Sequence, residues 1–166
     1  MEWRTGRDAR VTVSDILIYM GFIIDLFANK IFFSMFLSFF IASTLKIFTN
    51  WIMTDKIEFE VFIRTGGMPS SHAATVISMT TGIYLLEGIT SSFIIAVTFA
   101  LIVISDAIGI RRSAGKQAEI INELMKDTKK RKFKSKILYE ILGHTPRQVL
   151  AGSIMGIVIS YLVFFL

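Results

Sequence analysis

The stretch VLAGSIMGIVISYLVFFL, residues 149–166, contains no charged residue. About 20 apolar residues are needed for a helix to cross the hydrocarbon core of a bilayer, so this stretch predicts a spanning helix. The segment before it, LGHTPRQ at residues 142–148, holds one of only two histidines and one of only two prolines. The other His and Pro occur together in TGGMPSSHAA, residues 65–74. Two histidines that lie beside prolines at the starts of apolar stretches suggest two imidazole rings held by rigid turns at a membrane border.

The composition excludes a soluble domain. The chain has 166 residues, of which 53% are hydrophobic and 15 are Phe. A soluble domain of this size cannot bury that much apolar surface, so one compact bundle of membrane helices is predicted. Because the sequence contains no cysteine, disulfides and thiolate metal sites are excluded. Two histidines are too few for a His-rich metal site, but a carboxylate-rich site stays open.

Five apolar stretches are present, at residues 13–28, 31–53, 73–86, 91–110 and 149–166. The first is interrupted by Asp15 and Asp25, so it either spans the membrane or lies in the interface as an amphipathic helix. The third is short unless it starts within the PSSH turn. We therefore predict an all-α integral membrane bundle of four to five transmembrane helices with a cytosolic, basic, helical insertion.

The distribution of charge orients this bundle. Eleven of the eighteen Lys and Arg lie between positions 111 and 147, against four acidic residues. Since this basic stretch connects two hydrophobic spans, it indicates a cytosolic loop rather than a nucleic-acid interface. The predicted single domain has a cytosolic N-terminus at 1–12, helices one to four at 13–110, the insertion at 111–147, and the last helix at 148–166. Its C-terminus is then outside, and the candidate site residues reach one membrane depth on the cytosolic side.

The insertion contains apolar residues at helical spacing, namely Ile120, Ile121, Leu124 and Met125. This spacing, followed by dense positive charge, predicts a helix lying on the anionic inner leaflet. A solvated basic loop that only sets the topology is the alternative.

The stretch TGGMPSSHAA has the pattern of a loop running into a helix. Its glycines, Gly67 among them, permit close backbone approach or positive φ. Ser70 or Ser71 can cap the helix, whose free N–H groups bind anions well. His72 is then placed to exchange a proton with a bound group. The alternative is an ordinary helix cap with a hydrogen-bonded histidine at the interface.

Four charged residues lie where charge is costly. Asp106 near the end of the fourth stretch is expected to pair with Arg111 or Arg112, either for function or as a structural ion pair. The two arginines suit bidentate phosphate binding, or they anchor the helix end at the cytosolic face. Lys46 is either a phosphate-binding cation among apolar neighbours or a side chain that snorkels to the interface.

Three motifs occur in one order: TGGMPSSHAA, SDAIGIRRSAGKQAEIIN and LGHTPRQVLAG. Together they closely resemble the divergent PAP2 family of small membrane proteins, which is related to type 2 phosphatidic acid phosphatases and vanadium-dependent haloperoxidases. The likeness covers about residues 37–166. The segment PSSH resembles the phosphate-binding PSGH motif of the broader superfamily, and HTPRQVLAG resembles its last motif.

The resemblance implies a role for each matching residue. His144 would attack phosphorus to give a phosphohistidine, and His72 would protonate the leaving alcohol and then help to activate water. The groups expected to hold the equatorial oxygens are Lys46, Arg111 or Arg112, and the Ser70 and Ser71 amides.

One departure bears on the chemistry. Gln148 stands where the superfamily has an aspartate that orients the nucleophilic histidine. Glutamine can accept a hydrogen bond from imidazole but cannot stabilise an imidazolium by charge. Either another carboxylate, such as Asp106, takes that role, or the activity is weak or absent.

The expected function is hydrolysis of a lipid phosphate or diphosphate at the cytosolic membrane face, with no cofactor, metal or nucleic acid. Vanadate is expected to inhibit as a transition-state mimic, and a bundle this shallow is compatible with a homodimer. One alternative is a protein that binds or transports a phosphorylated lipid without turnover, which Gln148 favours. Another is a metal-dependent phosphotransferase with Asp106 and Glu119 or Glu123 as ligands.

Overall fold

The computed structural model describes residues 12–62, 66–127 and 143–166. These ranges contain six α-helices and no strand: α1 (Val13–Ala28), α2 (Lys30–Thr54), α3 (Ser71–Glu87), α4 (Ser91–Ile108), α5 (Ile110–Asp127) and α6 (Pro146–Phe165). A short 3₁₀-helix, Phe59–Phe62, follows α2. Three helical stretches are long and apolar enough to cross a membrane, Lys30–Thr54, Ser91–Leu124 and Pro146–Phe165. The predicted all-α membrane bundle is therefore confirmed.

The number of spans depends on the two shorter apolar helices. α1 has 16 residues and α3 has 17, which corresponds to about 24–26 Å of helix. The third apolar stretch does start within the PSSH turn, because Ser70 caps α3 and the helix begins at Ser71. α1 packs on α2 alone among the described elements. Whether α1 crosses the membrane stays a prediction.

α3 lies at the centre of the bundle and packs against α6, α2 and α4. Its contact with α6 is lined by small residues, and Ser78 and Ser160 are hydrogen-bonded across it at 2.8 Å. A Cβ added at Gly152 would collide with the carbonyl oxygen of Ser70, and one at Gly156 with that of Ala74. The two helices therefore meet at their backbones, as small residues permit in membrane bundles.

Two contacts fix the relative depth of the helices. At one end of the bundle, Lys30 Nζ on α2 donates to the Phe164 carbonyl of α6 at 3.2 Å. Towards the other end, Lys46 Nζ on α2 donates to Ser71 Oγ of α3 at 3.3 Å. The sixteen positions between the two lysines correspond to about 24 Å of helix. With Lys30 at one border of a hydrocarbon core about 30 Å thick, Lys46 is expected close to the other border.

α5 follows α4 after a break at Gly109. The predicted helix of the insertion is present as far as Asp127, and Ile120 and Leu124 are exposed on it. Residues 128–142 of the insertion lie outside the described ranges, and the placement of α5 on the inner leaflet stays a prediction. The observed bounds differ slightly from the predicted ones, since α5 starts at Ile110 and α6 at Pro146.

Candidate functional site

The two histidines of the chain lie side by side. His72 is in the first turn of α3, and His144 directly precedes the cap of α6. Their ring centroids are 5.7 Å apart, with the ring planes inclined by 64°. Two backbone hydrogen bonds hold this arrangement: the Ser70 N–H donates to the Gln148 carbonyl at 3.0 Å, and the His144 N–H donates to the Ala107 carbonyl at 2.9 Å. The starts of α3 and α6 and the end of α4 therefore converge on the histidines.

The loop before α3 is shaped by two glycines with positive φ. Gly66 has φ 111° and Gly67 has φ 88°, and the Met68–Pro69 peptide bond is cis. Thr49 Oγ1 on α2 donates to the Met68 carbonyl at 2.5 Å, which ties the loop to that helix. A Cβ at Gly67 would lie 2.8 Å from Lys46 Cγ. Gly67 thus leaves the space that the lysine side chain occupies.

Lys46 is a buried cation beside the two histidines. Its side chain is 1% exposed and donates to Ser71 Oγ. Ser70 is fully buried, and its Oγ accepts from the Ala73 N–H at 3.3 Å as the cap of α3. Four of the predicted binding residues, Lys46, Gly67, Ser70 and Ser71, therefore lie together at the start of α3.

The imidazole of His144 is shielded from solvent. The residue is 1% exposed, and neither ring nitrogen has a hydrogen-bond partner among the described residues. The pKa of His144 is lowered to about 4, mainly by burial and also by the nearby charges of His72 and Lys46, while the Gln148 side chain and the Gly67 backbone offset part of this decrease. The ring is therefore neutral at physiological pH, and it presents a nitrogen lone pair, as a nucleophile must.

Gln148 has a structural role that the sequence interpretation missed. Its Oε1 accepts from the Thr145 N–H at 2.9 Å, and Thr145 Oγ1 accepts from the Gln148 N–H at 3.4 Å. This is a capping box at the start of α6. The spacing of a threonine and a glutamine three residues apart, before an apolar run, was the available signal. The amide at the superfamily's aspartate position thus holds the helix start next to His144.

Asp106 forms its ion pair with Arg111, whose Nε donates to Oδ2 at 2.5 Å. The two side chains are 34% and 42% exposed respectively, so Asp106 is less buried than its place at membrane depth predicted. Both charges act on His72, whereas the charges that act on His144 are those of His72 and Lys46. The charge of Asp106 is therefore felt at His72, and the geometry gives no support for Asp106 as the group that orients His144.

Arg112 is less involved than Arg111. It is exposed, and its backbone is the part that approaches the site, because a Cβ at Gly143 would collide with the Arg112 N. Gly143, with φ 83°, therefore lets the turn before His144 pass close to the start of α5.

A carboxylate metal site finds no support in the described part of the chain. No group of three His, Asp or Glu side chains within these ranges could hold a metal ion. Glu119 and Glu123, the suggested partners of Asp106, are exposed on α5.

An α-helical membrane bundle with paired histidines, a buried lysine and a helix start at one end of the bundle defines the class of this protein. The family model described as the Divergent PAP2 family matches residues 27–159, and the chain belongs to that family. It is 38% identical over 132 residues to the uncharacterized membrane protein YuiD of Bacillus subtilis (strain 168), covering 72% of this chain and 84% of that protein. No solved structure gives a significant match. The resemblance drawn from the three motifs is confirmed.

Proposed function

We propose that this membrane protein is a lipid phosphatase that hydrolyses a phosphate or diphosphate monoester through a phosphohistidine intermediate. The observation that carries the proposal is the contact between the His72 and His144 rings, 5.7 Å apart between centroids, beside the buried Lys46 and the capped start of α3. Two imidazoles within reach of one tetrahedral phosphorus, with a cation at hand, provide a nucleophile, an acid and charge stabilisation. Family membership is in keeping with this chemistry.

The proposed reaction has two steps. A nitrogen of His144 forms a bond to phosphorus as the bond from phosphorus to the lipid oxygen breaks, and His72 gives its proton to that oxygen. Water then attacks phosphorus, the phosphorus–nitrogen bond of His144 breaks, and His72 takes the proton from the water. Inorganic phosphate leaves, and both histidines return to their starting states.

Lys46 and the start of α3 stabilise the charge of the phosphoryl group in this proposal. The Lys46 ammonium lies 3.3 Å from Ser71 Oγ, so it reaches the space in front of the helix start. Backbone N–H groups in the first turn of a helix attract anions through their free donors and the helix dipole. Arg111, whose charge acts on His72, is the arginine we assign to the phosphate, ahead of Arg112.

We place the site on the cytosolic side, because the basic insertion and the site residues adjoin the same ends of α4 and α6. Positively charged loops are retained on the cytosolic face of membranes. The substrate would then reach the site from the inner leaflet.

The proposal is tested by measuring phosphate release from phosphatidic acid and from a prenyl diphosphate in detergent micelles. His144→Ala and His72→Ala are expected to reduce turnover by about 10²-fold or more, in line with the loss of a proton-transfer group or nucleophile. Thr98→Ala is the matched control, since Thr98 Oγ1 bonds only the Ile94 carbonyl of its own helix. Full activity in His144→Ala would remove the nucleophile assignment.

A second candidate is binding of a phosphorylated lipid without turnover. The observation in its favour is that Gln148, at the position of the orienting aspartate, is an uncharged residue whose side chain is engaged in the capping box. Vanadate binding that depends on Lys46, without phosphate release from either lipid, would select this candidate over the enzyme.

A further inference from the structure

Residues 56–62, which we call the fold-back segment, run back along α2 after that helix ends. Asp55 closes α2 with φ 54°, and its N–H donates to the Trp51 carbonyl. Seven residues later, the Phe62 ring packs edge-on against two α2 rings, with centroids 6.0 Å from Phe39 and 5.8 Å from Phe40. The chain therefore reverses direction at Asp55 and returns towards the middle of α2.

The rise per residue of α2 gives the depth of this contact relative to the histidine site. Lys46 marks the level of the histidine site, and Phe40 precedes it by six positions, which places Phe40 about 9 Å further into the bilayer. Side chains on a helix tilt towards its N-terminus, so the Phe40 ring lies no closer to the border than its backbone. Asp55, nine positions beyond Lys46, is about 13 Å outside the site level on the same scale. The Phe62 end of the fold-back segment thus lies deeper than the level of the histidine site.

The exposure of its side chains shows which part of the segment faces away from the protein. Val61 is buried at 5% exposure, whereas Ile57 and Phe59 are 60% and 78% exposed. Non-helical backbone at membrane depth is tolerated only where protein or water covers it, and the buried side of the segment is covered by α2. Glu58 and Glu60 are also exposed, so the protein does not shield these carboxylates from head groups and water.

We infer that the fold-back segment is a re-entrant anchor, with Phe59 inserted among the acyl chains of the leaflet that borders the histidine site and Ile57 nearer to the head groups of that leaflet. Its partner is the lipid bilayer itself. In the sequence, the segment shortly precedes Gly67 and the cap of α3. This inference rests on the membrane placement of α2 and not on the proposed phosphatase activity.

The native sequence has no cysteine, so single-cysteine variants can be labelled without background. Phe59→Cys and Ile57→Cys would carry a nitroxide in phosphatidylcholine vesicles, and accessibility to oxygen and to a water-soluble nickel chelate would report depth. Met53→Cys is the outer control, because Met53 is 83% exposed and seven positions beyond Lys46. Ile102→Cys is the inner control, because Ile102 is 62% exposed and five positions before Ala107, whose carbonyl bonds His144.

We expect the nitroxides at positions 59 and 102 to be more accessible to oxygen than to the nickel chelate. The nitroxide at position 53 should be more accessible to the nickel chelate. The label at position 57 should lie between the 53 and 59 labels. Nickel accessibility at position 59 equal to that at position 53 would overturn the anchor, provided that the 102 label still reports lipid. Thermal unfolding of each labelled variant, followed by circular dichroism, shows whether that variant has kept the bundle.

Discussion

Gly152→Ala tests whether backbone contact between α3 and α6 holds the site. The new Cβ would overlap the Ser70 carbonyl oxygen and lie 3.1 Å from the Ser70 carbonyl carbon and 3.2 Å from its nitrogen. Backbone atoms inside a helix start cannot move aside as a side-chain end can. The helices must separate, and the hydrogen bond from the Ser70 N–H to the Gln148 carbonyl is strained or lost.

The magnitude follows from two opposing effects. Overpacking of this kind costs about 1–3 kcal/mol, and we take the upper part of that range because the contact is with backbone. Replacing a helical glycine by alanine contributes about 1 kcal/mol in the favourable direction. The expected net result is about 1–2 kcal/mol of destabilisation, together with a wider gap between the two imidazole rings.

Gly21→Ala is the matched control, because a Cβ at Gly21 of α1 meets nothing within 4 Å. Gly21→Ala should leave the free energy of unfolding unchanged or raise it, whereas Gly152→Ala should lower it. Thermal unfolding in detergent, followed by circular dichroism, measures both, and vanadate affinity reports the site. A Gly152→Ala protein as stable as Gly21→Ala, with unchanged vanadate binding, would refute the idea that this contact positions the histidines.

Two further predictions concern the charges of the site. The pKa of His144, about 4 against an ordinary 6.5, means that the unfolded chain binds the proton more readily than the folded protein does. The free energy of unfolding is therefore retained above pH 6.5 and falls by up to about 3 kcal/mol as the pH drops from 6.5 through 4. Denaturant unfolding at several pH values should show this decrease for the wild type and a smaller decrease for His144→Gln. Lys46→Met, which removes a charge at a position that is 1% exposed, should leave stability unchanged or higher while weakening vanadate binding by about tenfold or more. Unchanged vanadate affinity in Lys46→Met would exclude the lysine from the anion site.

Much of the fold could be predicted because its determinants are local. A charge-free run gives α6, and the serine at the PSSH turn gives the start of α3. The adjacency of His72 and His144 followed from the family motifs and from placing both residues at one membrane border. These signals are contained in short stretches or in the order of the stretches.

Other features depend on contacts between residues that are far apart in the sequence, which no short stretch can predict. The return of residues 56–62 along α2 is set by the packing of Phe62 on Phe39 and Phe40. The bond from Thr49 to the Met68 carbonyl joins residues whose sequence patterns give no hint of each other. The pairing of Asp106 with Arg111 was one of two predicted choices, and the geometry at the break after α4 selected it.

The dependence of the site on α6 has a consequence for biosynthesis. The backbone partner of Ser70, the close approach at Gly152 and the His144 ring all belong to α6 or the turn before it. Earlier helices can enter the membrane with Lys46 and His72 already in place, yet the second imidazole and the carbonyl that docks the α3 cap are then still missing. A nascent chain therefore brings the two imidazoles together only after α6 has been synthesised, and a chain stalled before that point would lack both the His144 ring and the carbonyl that docks the α3 cap.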